Sequence, residues 1–484
     1  MGATDAASPV PGLGSRLAGD AHGRCVYLDY NATTPIFPPV AAAMAPFVTT
    51  HFGNPSSSHA FATPCKEAMQ LARAQVAALV NAEAEEILCV CVCVLTPLST
   101  DSTTGVKVLT YVPRLSRSFT SCGTESDNWA IASAVAAAAA RGDGAVPHVV
   151  ASVVEHPAVL EYLVAQQAAG QLTYTLAPVQ PDGSVAVDAV LQCIQPGRTC
   201  LVTVMHSNNE TGALQPIQEL GARIRGDSPA VPPPASSAGC WSPFSSRRRR
   251  RLGAVSAALA AGRVLFHTDA AQSCGKVPID VRALGCDYLT IVAHKFGGPK
   301  GVAALFVRNG TPLSRSLYGG GQEHGFRAGT ENVLHIVGLG AAADLARAEL
   351  PQLMAHTAAL RDRLQAALLA CKPLADAGIQ VKVHGPADDA RRLPNTLSIA
   401  LRGVCAAKFL PSVGDVLAAS AGAASHTHDP SAPVVISGVL RAMGVPTAWA
   451  MGTLRLSVGR HTTQEDVDAA VRTIGTRAPK FKEA

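Results

Sequence analysis

A lysine stands at the end of a long apolar run. Residues 287–293 are mostly apolar, and His294, Lys295 and a glycine turn follow them. This pattern is typical of a buried strand that ends at the edge of an open α/β sheet, where such sheets bind ligands. A half-buried lysine there can lose its proton and form a Schiff base with an aldehyde.

An aspartate ends a second apolar run in the same way. Residues 264–269 run from Val264 to Asp269, and Gln272 follows closely. An aspartate that meets a pyridinium nitrogen, together with a Schiff-base lysine, is the arrangement that holds pyridoxal 5'-phosphate. Asp269 and Lys295, in this order, therefore indicate a site for that cofactor.

A phosphate site is predicted where residues 123–126 open a helix expected over 125–140. Backbone N–H groups at Gly123 and Thr124 would meet the phosphate at the positive end of the helix dipole. An ordinary helix cap would use the same residue types. Beside Lys295 and Asp269, phosphate binding is the favoured interpretation, and His294 is placed to join it.

Two further strand ends carry polar residues. The apolar run 149–154 is followed by Glu155 and His156. The run 200–205 is followed by a polar segment that contains Asn209. A histidine there could lie on a pyridine ring and take part in proton transfer, and Asn209 or Gln272 could reach the oxygen of the ring. The alternatives are a core histidine with a satisfied hydrogen bond and an Asn-Gly turn.

Two more segments contain an arginine, one in an alternating apolar run and one in a glycine-rich loop. Arg455 lies in the alternating run 454–460 and could bind a carboxylate bidentately, although a surface salt bridge is the alternative. Residues 319–332 form a glycine-rich loop with Arg327, and glycine lets backbone approach a ligand closely. A flexible loop without a ligand is the alternative there.

Composition bounds the class of protein. The chain has 484 residues, of which 48% are hydrophobic and 15% charged, which predicts a sizeable core and about two or three domains. The net charge of +5 includes the run Arg247–Arg251 and gives no case for nucleic acid. The longest apolar stretches are too short to span a membrane.

Cysteine usage bears on metals and compartment. The 13 cysteines form no CxxC pair, so zinc-site spacing is absent and no metal is expected. An odd number of cysteines without a secretory signal favours a reducing, cytoplasmic location. Residues 1–24 are a poor transit peptide, which leaves organelle targeting open.

Alternating strand and helix patterns predict an α/β fold with a mostly parallel sheet. We expect a disordered head over 1–25, an N-terminal segment over 26–37 that packs with a small domain, a large cofactor-binding domain over 38–348, and a small C-terminal domain over 349–484. Residues 89–118 and 227–261 are interpreted as surface insertions or artefacts of the gene structure, without catalytic residues.

Taken together, these motifs resemble the class V aminotransferase family of fold-type I pyridoxal-phosphate enzymes, and within it the branch of cysteine desulfurases and selenocysteine lyases. The resemblance runs from about Val26 to about Ile474. The matching segments are residues 30–35, 53–57, 123–126, 155–156, 208–212, 269–272, 294–295, 320–323, 327–331 and 455–460.

The resemblance implies a large domain with a mostly parallel, seven-stranded sheet flanked by helices, and a smaller α+β C-terminal domain. It also implies a role for each site residue. Lys295 would hold the cofactor as a Schiff base and move the substrate α-proton, Asp269 would keep the pyridine nitrogen protonated, and His156 would stack on the ring. Asn209 and Gln272 would contact the ring, and Gly123, Thr124 and His294 the phosphate. Thr330 would complete the phosphate site of the partner subunit in a homodimer. Arg455, with Asn31, would hold the substrate carboxylate.

One residue departs from the family pattern. The family places a nucleophilic cysteine on a loop in a Ser-x-Gly-x-Ala-Cys pattern, and here residues 420–425 end in Ser425. A serine has no accessible anion at neutral pH and cannot form a persulfide. Selenol ionises more readily than thiol and a carbon–selenium bond is weaker, so selenium elimination needs less help from this position. An error at this codon is the other explanation.

The resemblance therefore implies a lyase that converts L-selenocysteine to L-alanine and a reduced selenium species, with a possible acceptor protein for the selenium or sulfur. The alternatives are a cysteine desulfurase, a cofactor-binding protein whose lyase activity is impaired by Ser425, another pyridoxal-phosphate reaction such as transamination, and a non-catalytic homodimeric scaffold. Lys295, Asp269, His156 and Arg455 argue against the scaffold, because no structural need requires these residues together.

Overall fold

The computed structural model describes residues 25–87, 119–142, 144–226, 263–421 and 435–482. Residues 1–24 of the expected N-terminal head, both expected insertions, and Ser425 lie outside these ranges.

The described residues form strands and helices in alternation over the first part of the chain. The strands are β1 (Val26–Tyr27), β2 (Phe119–Thr120), β3 (His148–Ser152), β4 (Thr173–Ala177), β5 (Thr199–Thr203), β6 (Leu265–Asp269), β7 (Tyr288–Val292), β8 (Ala303–Val307), β9 (Val381–His384), β10 (Thr396–Leu401), β11 (Leu417–Ala418), β12 (Ser420–Ala421) and β13 (Thr453–Ser457). The α-helices are α1 (Pro38–Met44), α2 (Pro46–Thr49), α3 (Thr63–Leu79), α4 (Gly123–Ala139), α5 (Pro157–Ala168), α6 (Val187–Gln192), α7 (Ile217–Arg225), α8 (Val281–Leu284), α9 (Val333–Leu369), α10 (Lys372–Asp376), α11 (Ala406–Ser412), α12 (Gly438–Ala442), α13 (Thr447–Ala450) and α14 (Gln464–Arg477). Short 3₁₀ turns occupy Ala60–Ala62, Ala84–Glu86, Ala293–Lys295, Gln322–Gly325, Asp389–Arg391 and Ala478–Phe481.

A seven-stranded sheet forms the centre of the larger region. Its strand order is β2-β8-β7-β6-β5-β3-β4. The neighbours from β7 to β4 are parallel, whereas β8 runs antiparallel to both β7 and β2. The predicted α/β fold with a mostly parallel sheet is confirmed.

Strands and helices of this region follow from their apolar pattern. All five residues of β3, β5, β6 and β7 are buried, as expected of strands covered on both faces. Helix α3 packs on α9, and its Met69, Ala72 and Val76 face the core. The predicted helix over 125–140 is α4, which begins at Gly123.

A four-stranded antiparallel sheet forms the smaller region, with the order β12-β13-β10-β9. A separate apolar cluster covers it and includes Leu397, Leu454 and Ile474. The N-terminal segment joins this region, because β1 pairs in parallel with β11 and Leu28 is buried in the same cluster.

Helix α9 belongs to both regions. Its first half, from Ile336 to Ala346, lies in the core of the large sheet, and its last turns, at Leu360, Leu364 and Leu368, lie in the core of the small one. The predicted boundary after residue 348 falls within this helix. The two regions are therefore joined by one continuous element.

None of the helices in the described ranges combines the length and the apolar character that crossing a bilayer requires. The same ranges contain no group of three His, Cys, Asp or Glu side chains that could hold a metal ion.

Replacing Leu364 by alanine tests the second core. Leu364 is fully buried, so Leu364→Ala should lower the free energy of unfolding by about 2–5 kcal/mol. Leu369→Ala is the matched control on the same helix, because Leu369 is 51% exposed and its truncation should change stability by less than about 0.5 kcal/mol. Urea unfolding followed by circular dichroism measures both, and equal effects would contradict the packing described for α9.

Candidate active site

The predicted site residues meet at one edge of the large sheet. Strands β3, β5, β6 and β7 are parallel neighbours, so their carboxyl ends lie side by side. His156, Asn209, Asp269 and Lys295 follow or end these four strands. Strand β2 runs in the same direction as β7, because both are antiparallel to β8, and it delivers Gly123 to the same edge.

Lys295 ends a 3₁₀ turn that directly follows β7. Its Nζ donates to the main-chain carbonyl oxygens of Asn31 at 2.8 Å and Ala32 at 2.9 Å. Burial lowers the pKa of Lys295 to about 8, with Arg455 acting in the same direction and Asp269 partly opposing it. About a tenth of the amine is therefore unprotonated at pH 7, and the unprotonated amine is the form in which a lysine acts as a nucleophile.

Asp269 is the last residue of β6 and is 8% exposed. Its Oδ1 accepts a hydrogen bond from Ala271 N at 2.8 Å. Burial raises the pKa of this carboxyl, whereas the Ala271 N–H, His156 and Lys295 lower it. Among the described residues its Oδ2 has no hydrogen-bond partner, so one carboxylate oxygen remains for a cationic group.

His156 caps the N-terminus of α5 and is exposed at the sheet edge. Its Nδ1 accepts from Ala158 N at 3.1 Å, which requires an unprotonated Nδ1. Desolvation by the surrounding protein lowers the pKa of His156. The negative charge of Asp269 opposes this shift, and the positive charge of Lys295 adds to it. The ring is therefore neutral near pH 7, with its proton on Nε2.

Glu155, the residue before His156, lies beneath the site. It is 4% exposed, its Oε1 accepts from Met205 N at 2.9 Å and from the Ser152 hydroxyl, and its Oε2 has no partner in the described part of the chain. Burial raises the pKa of Glu155 to about 8, and Asp269 adds to the increase. Glu155 is therefore largely protonated at neutral pH and places little negative charge beside Asp269.

The N-terminus of α4 forms an open backbone surface. Its cap, Cys122, makes no side-chain hydrogen bond to the first turn. A Cβ on Gly123 would lie 2.8 Å from Val292 Cγ2, so only glycine fits where the helix meets the end of β7. Thr124 is exposed beside it. The first N–H groups of α4 can therefore receive an anion next to Lys295.

His294 precedes the lysine and is partly buried. Its Nδ1 lies 3.2 Å from Thr33 Oγ1. Burial lowers the pKa of His294 to about 4, and the positive charges of Lys295, Lys300 and Lys276 act in the same direction. His294 is thus neutral at pH 7 and can offer a hydrogen bond to a phosphate, but no charge.

Asn31 connects the site to the rest of the molecule. It is 1% exposed, and its carbonyl oxygen accepts from Lys295 Nζ and from Gln272 Nε2. Its side-chain Nδ2 donates to Thr396 Oγ1 at 2.8 Å and to the Asn209 carbonyl at 3.3 Å. Because its side-chain atoms are occupied by protein partners, a substrate carboxylate would have to displace one of them.

Lys276 is a buried lysine that none of the sequence motifs marked. Its Nζ donates to Asn31 Oδ1 and to Gln272 Oε1, both at 2.9 Å. Burial lowers its pKa well below the usual value, and Lys295 and Arg455 add to this. These contacts fix the Gln272 carboxamide with its Nε2 toward the Asn31 carbonyl, which leaves one Nε2–H as a donor.

Arg455 lies in the middle of β13, facing the large sheet. Its Nη2 donates to Asp29 Oδ1 at 2.8 Å and to Ser420 Oγ at 2.9 Å, and its Nη1 donates to the Asn209 carbonyl at 3.3 Å. Its Nε is buried without a partner in the described residues. A buried guanidinium N–H without an acceptor is a position at which a carboxylate would be stabilised.

The structure gives fewer contacts for two of the predicted site residues, Thr330 and Ser425. Thr330 is exposed, three residues after Arg327, whose Nε pairs with Glu125 Oε1 on the first turn of α4 at 3.0 Å. Ser425 lies outside the described residues. Ser420, five positions before it in the chain, contacts both Asp29 and Arg455.

The sequence of the chain matches the family described as aminotransferase class-V over residues 26–91, 116–231 and 252–470. The chain belongs to the class V aminotransferase family. The family predicted from the motifs is confirmed, and so is the prediction of an enzyme of the pyridoxal-phosphate-dependent lyase type. The unmatched residues 92–115 and 232–251 lie within the two segments expected to be insertions.

Relatives in this family carry two different names. The chain is 36% identical to a cysteine desulfurase of Nostoc sp. over 447 residues, which cover 92% of this chain and 91% of the relative. It is also 36% identical to a selenocysteine lyase of Bos taurus over 470 residues, which cover 93% and 92%. A solved structure described as a NifS-like protein superposes with a TM-score of 0.71 at 27% identity, covering 93% of this chain and 98% of that one.

The site residues fit the cofactor of this family. The unpartnered Asp269 oxygen suits a pyridinium nitrogen, the Lys295 amine suits an aldehyde, and the uncapped start of α4 at Gly123 suits a phosphate. The exposed ring of His156 lies at the same sheet edge. Among the described residues, Asp269 Oδ2 has no competing hydrogen-bond partner and Cys122 does not cap α4, whereas the Lys295 amine donates to the carbonyl oxygens of Asn31 and Ala32.

Glu155 provides a pH-dependent test of the site. Its folded pKa of about 8 exceeds the usual value of a glutamate, so the folded state binds the extra proton between those two values. Stability contributed by this group is therefore lost as pH rises from about 4.5 to about 8. Relative to Glu155→Gln, which keeps the Oε1 acceptor, the wild-type protein should lose stability across that window.

Thermal unfolding at several pH values measures this difference. In the interior of the window the slope of the difference should approach about 1.4 kcal/mol per pH unit. Glu85→Gln, at an exposed carboxylate, is the control and should follow wild type. A Glu155→Gln curve parallel to wild type would show that Glu155 is ionised throughout.

Proposed function

We propose that the chain is a pyridoxal-phosphate-dependent lyase that cleaves the carbon–selenium bond of L-selenocysteine and releases L-alanine. The observation that carries this proposal is the pair formed by Lys295 and Asp269 at neighbouring strand ends, with the lysine pKa lowered to about 8. Carbon–selenium or carbon–sulfur lyase activity is the property that both groups of named relatives share.

The cofactor, when bound, would withdraw electrons from the substrate Cα through its protonated ring. Lys295 would hold it covalently, Asp269 would keep the ring nitrogen protonated, and His156 would cover the ring face. Gly123, Thr124 and His294 would bind the phosphate, and Asn209 and Gln272 the ring and its oxygen. Thr330 would reach the phosphate of a second copy in a homodimer.

Lys295 is the proton carrier in this proposal. Its Nζ is held by the carbonyl oxygens of Asn31 and Ala32, and these acceptors stabilise its ammonium form. Burial and Arg455 favour the neutral amine. Because the two influences nearly balance close to neutral pH, the amine can take a proton from Cα and return it to the product.

Arg455 is proposed to bind the substrate carboxylate. Its unpartnered Nε and its weak 3.3 Å contact to the Asn209 carbonyl leave N–H groups for a carboxylate, while Asp29 holds the guanidinium in place. Asn31 would assist through its position beside Arg455 and Lys295 rather than through an unoccupied amide group.

Ser425 supports selenium over sulfur. L-selenocysteine divides into L-alanine and one selenium atom at the zero oxidation level, and a thiol or an acceptor protein with a reducing group would convert that atom to selenide. The corresponding sulfur transfer uses a cysteine thiolate that leaves the site as a persulfide, and Ser425 cannot form one. A cysteine desulfurase is the second candidate, because the Nostoc relative is equally similar over most of the chain.

Purified protein loaded with pyridoxal phosphate should release alanine from L-selenocysteine and little from L-cysteine. Lys295→Ala should lower that rate by at least about 10²-fold, because it removes the proton carrier. Lys300→Ala, at an exposed lysine on the same loop, is the matched control and should retain the rate. Equal release from both amino acids would contradict the selenium preference, and release by Lys295→Ala would contradict the mechanism.

Restoring the family cysteine tests the role of Ser425. Ser425→Cys should raise alanine release from L-cysteine by about tenfold or more, because a thiolate then becomes available as acceptor. Ala423→Cys adds a thiol two residues earlier and should not do so. Protein-bound persulfide, detected by mass spectrometry, should appear at position 425 in the first variant. Efficient persulfide formation by the wild-type chain would contradict the proposal.

A further inference from the structure

A buried ion pair fastens the glycine-rich loop to the body of the protein. Arg73 of α3 is 1% exposed and Glu323 of the loop is 2% exposed, and Arg73 Nη2 lies 2.7 Å from Glu323 Oε1. The two residues are 250 positions apart in the chain. A carboxylate from an otherwise largely exposed loop thus enters the interior between α3 and β2.

The loop adopts an unfavourable backbone at this point. Glu323 has φ of 46° and His324 has φ of 58°, in the left-handed region that residues with side chains rarely adopt. Neither residue is glycine, although glycines occupy 319–321 and 325. The entry of the Glu323 carboxylate into the core therefore imposes a strained backbone that the ion pair maintains.

Stability alone does not explain this pair. Arg73 Nε and Glu323 Oε2 are buried without partners in the described residues. Burial raises the pKa of Glu323 to about 7, and the neighbouring Glu331 adds to this while Arg73 opposes it. A buried ion pair with incomplete hydrogen bonding is weak evidence for stability, and in some proteins such pairs define a geometry instead.

The geometry that this pair defines is that of the α4 N-terminus. The Arg73 guanidinium lies over the Phe119 ring at 4.7 Å, and the backbone N–H of Phe119 lowers the pKa of the Glu323 carboxyl. Phe119 begins β2, which leads directly to Gly123. Four residues after Glu323, Arg327 pairs with Glu125 on the first turn of α4. The loop thus contacts both sides of the proposed phosphate site.

We propose that Glu323, held by Arg73, is a positioning residue for phosphate recognition: it holds the loop so that β2 and the first turn of α4 present their backbone to the cofactor phosphate. Arg73 and Glu323 would act through β2 and α4 and would not contact the cofactor themselves. The inference rests on the proposed function, since it requires that the α4 N-terminus binds a phosphate.

The test compares a phosphorylated with an unphosphorylated ligand. Full-length protein freed of cofactor is titrated near pH 8, where Glu323 is ionised in wild type, with pyridoxal 5'-phosphate and separately with pyridoxal. Wild type should bind the phosphate form more tightly. Glu323→Gln should reduce that preference by about tenfold while leaving the affinity for pyridoxal nearly unchanged, because a local loss of phosphate positioning does not affect the ring.

Two further variants separate positioning from folding. Glu86→Gln is the matched control, a carboxylate that is equally buried at 2% exposure and pairs with Arg282, and it should keep the phosphate preference. Arg327→Gln breaks the contact with Glu125 outside the core and should reproduce the loss seen in Glu323→Gln, even if the latter folds poorly.

The outcomes are distinguishable. Suppose that wild type prefers the phosphate form and that the variants bind pyridoxal 5'-phosphate and pyridoxal more weakly by the same factor. That result would overturn this inference and leave the proposed function intact. A wild-type protein that binds neither ligand would overturn both. A preference retained in Glu323→Gln and in Arg327→Gln would show that the loop does not position the phosphate site.

Discussion

The main-chain carbonyl oxygen of Asn31 is the acceptor on which the site depends. It receives the Lys295 amine at 2.8 Å and the Gln272 amide at 2.9 Å, and so fixes two predicted cofactor contacts at once. Asn31 belongs to the N-terminal segment, which is anchored to the small region through β1 and through Asn31 N to Ser457 Oγ. Lys295, the proposed catalytic lysine of the large sheet, is therefore positioned by the N-terminal segment that the small region anchors, and the candidate site forms where the two regions meet.

The balance of charge in the site follows from the same arrangement. Burial and the positive charges of Lys295 and Arg455 lower the pKa of Lys276, whose amine is held by two amide oxygens instead of a carboxylate. Burial raises the pKa of Glu155 to about 8, so this carboxyl is largely protonated at neutral pH and adds little negative charge beside Asp269. Burial has a larger effect than ion pairing on the pKa of both Lys295 and Asp269.

Much of this could be predicted from the sequence, because strand ends are marked locally. Lys295, Asp269 and His156 each follow an apolar run, and parallel strands place the ends of such runs together. Lys276 was missed because its partner Asn31 is 245 positions away and nothing in its own neighbourhood marks the contact. The Arg73–Glu323 pair was missed for the same reason, and the double occupation of the Asn31 amide could not be anticipated from its motif. The carboxylate role of Asn31 and the dimer contact of Thr330 remain predictions.

The guanidinium of Arg455 has a consequence beyond the site itself. It holds Asp29 and Ser420 together, and Ser420 is where β12 begins and from which the chain runs on toward Ser425. A substrate carboxylate that binds this guanidinium would compete with Asp29 as the counter-ion. The free energy of substrate binding would then contain the difference between the energies of the two ion pairs. Exchange of one carboxylate for another would also weaken the hydrogen bond between Arg455 and Ser420. Binding of the substrate would then alter β12, the strand that precedes Ser425, where the family resemblance predicts a cysteine.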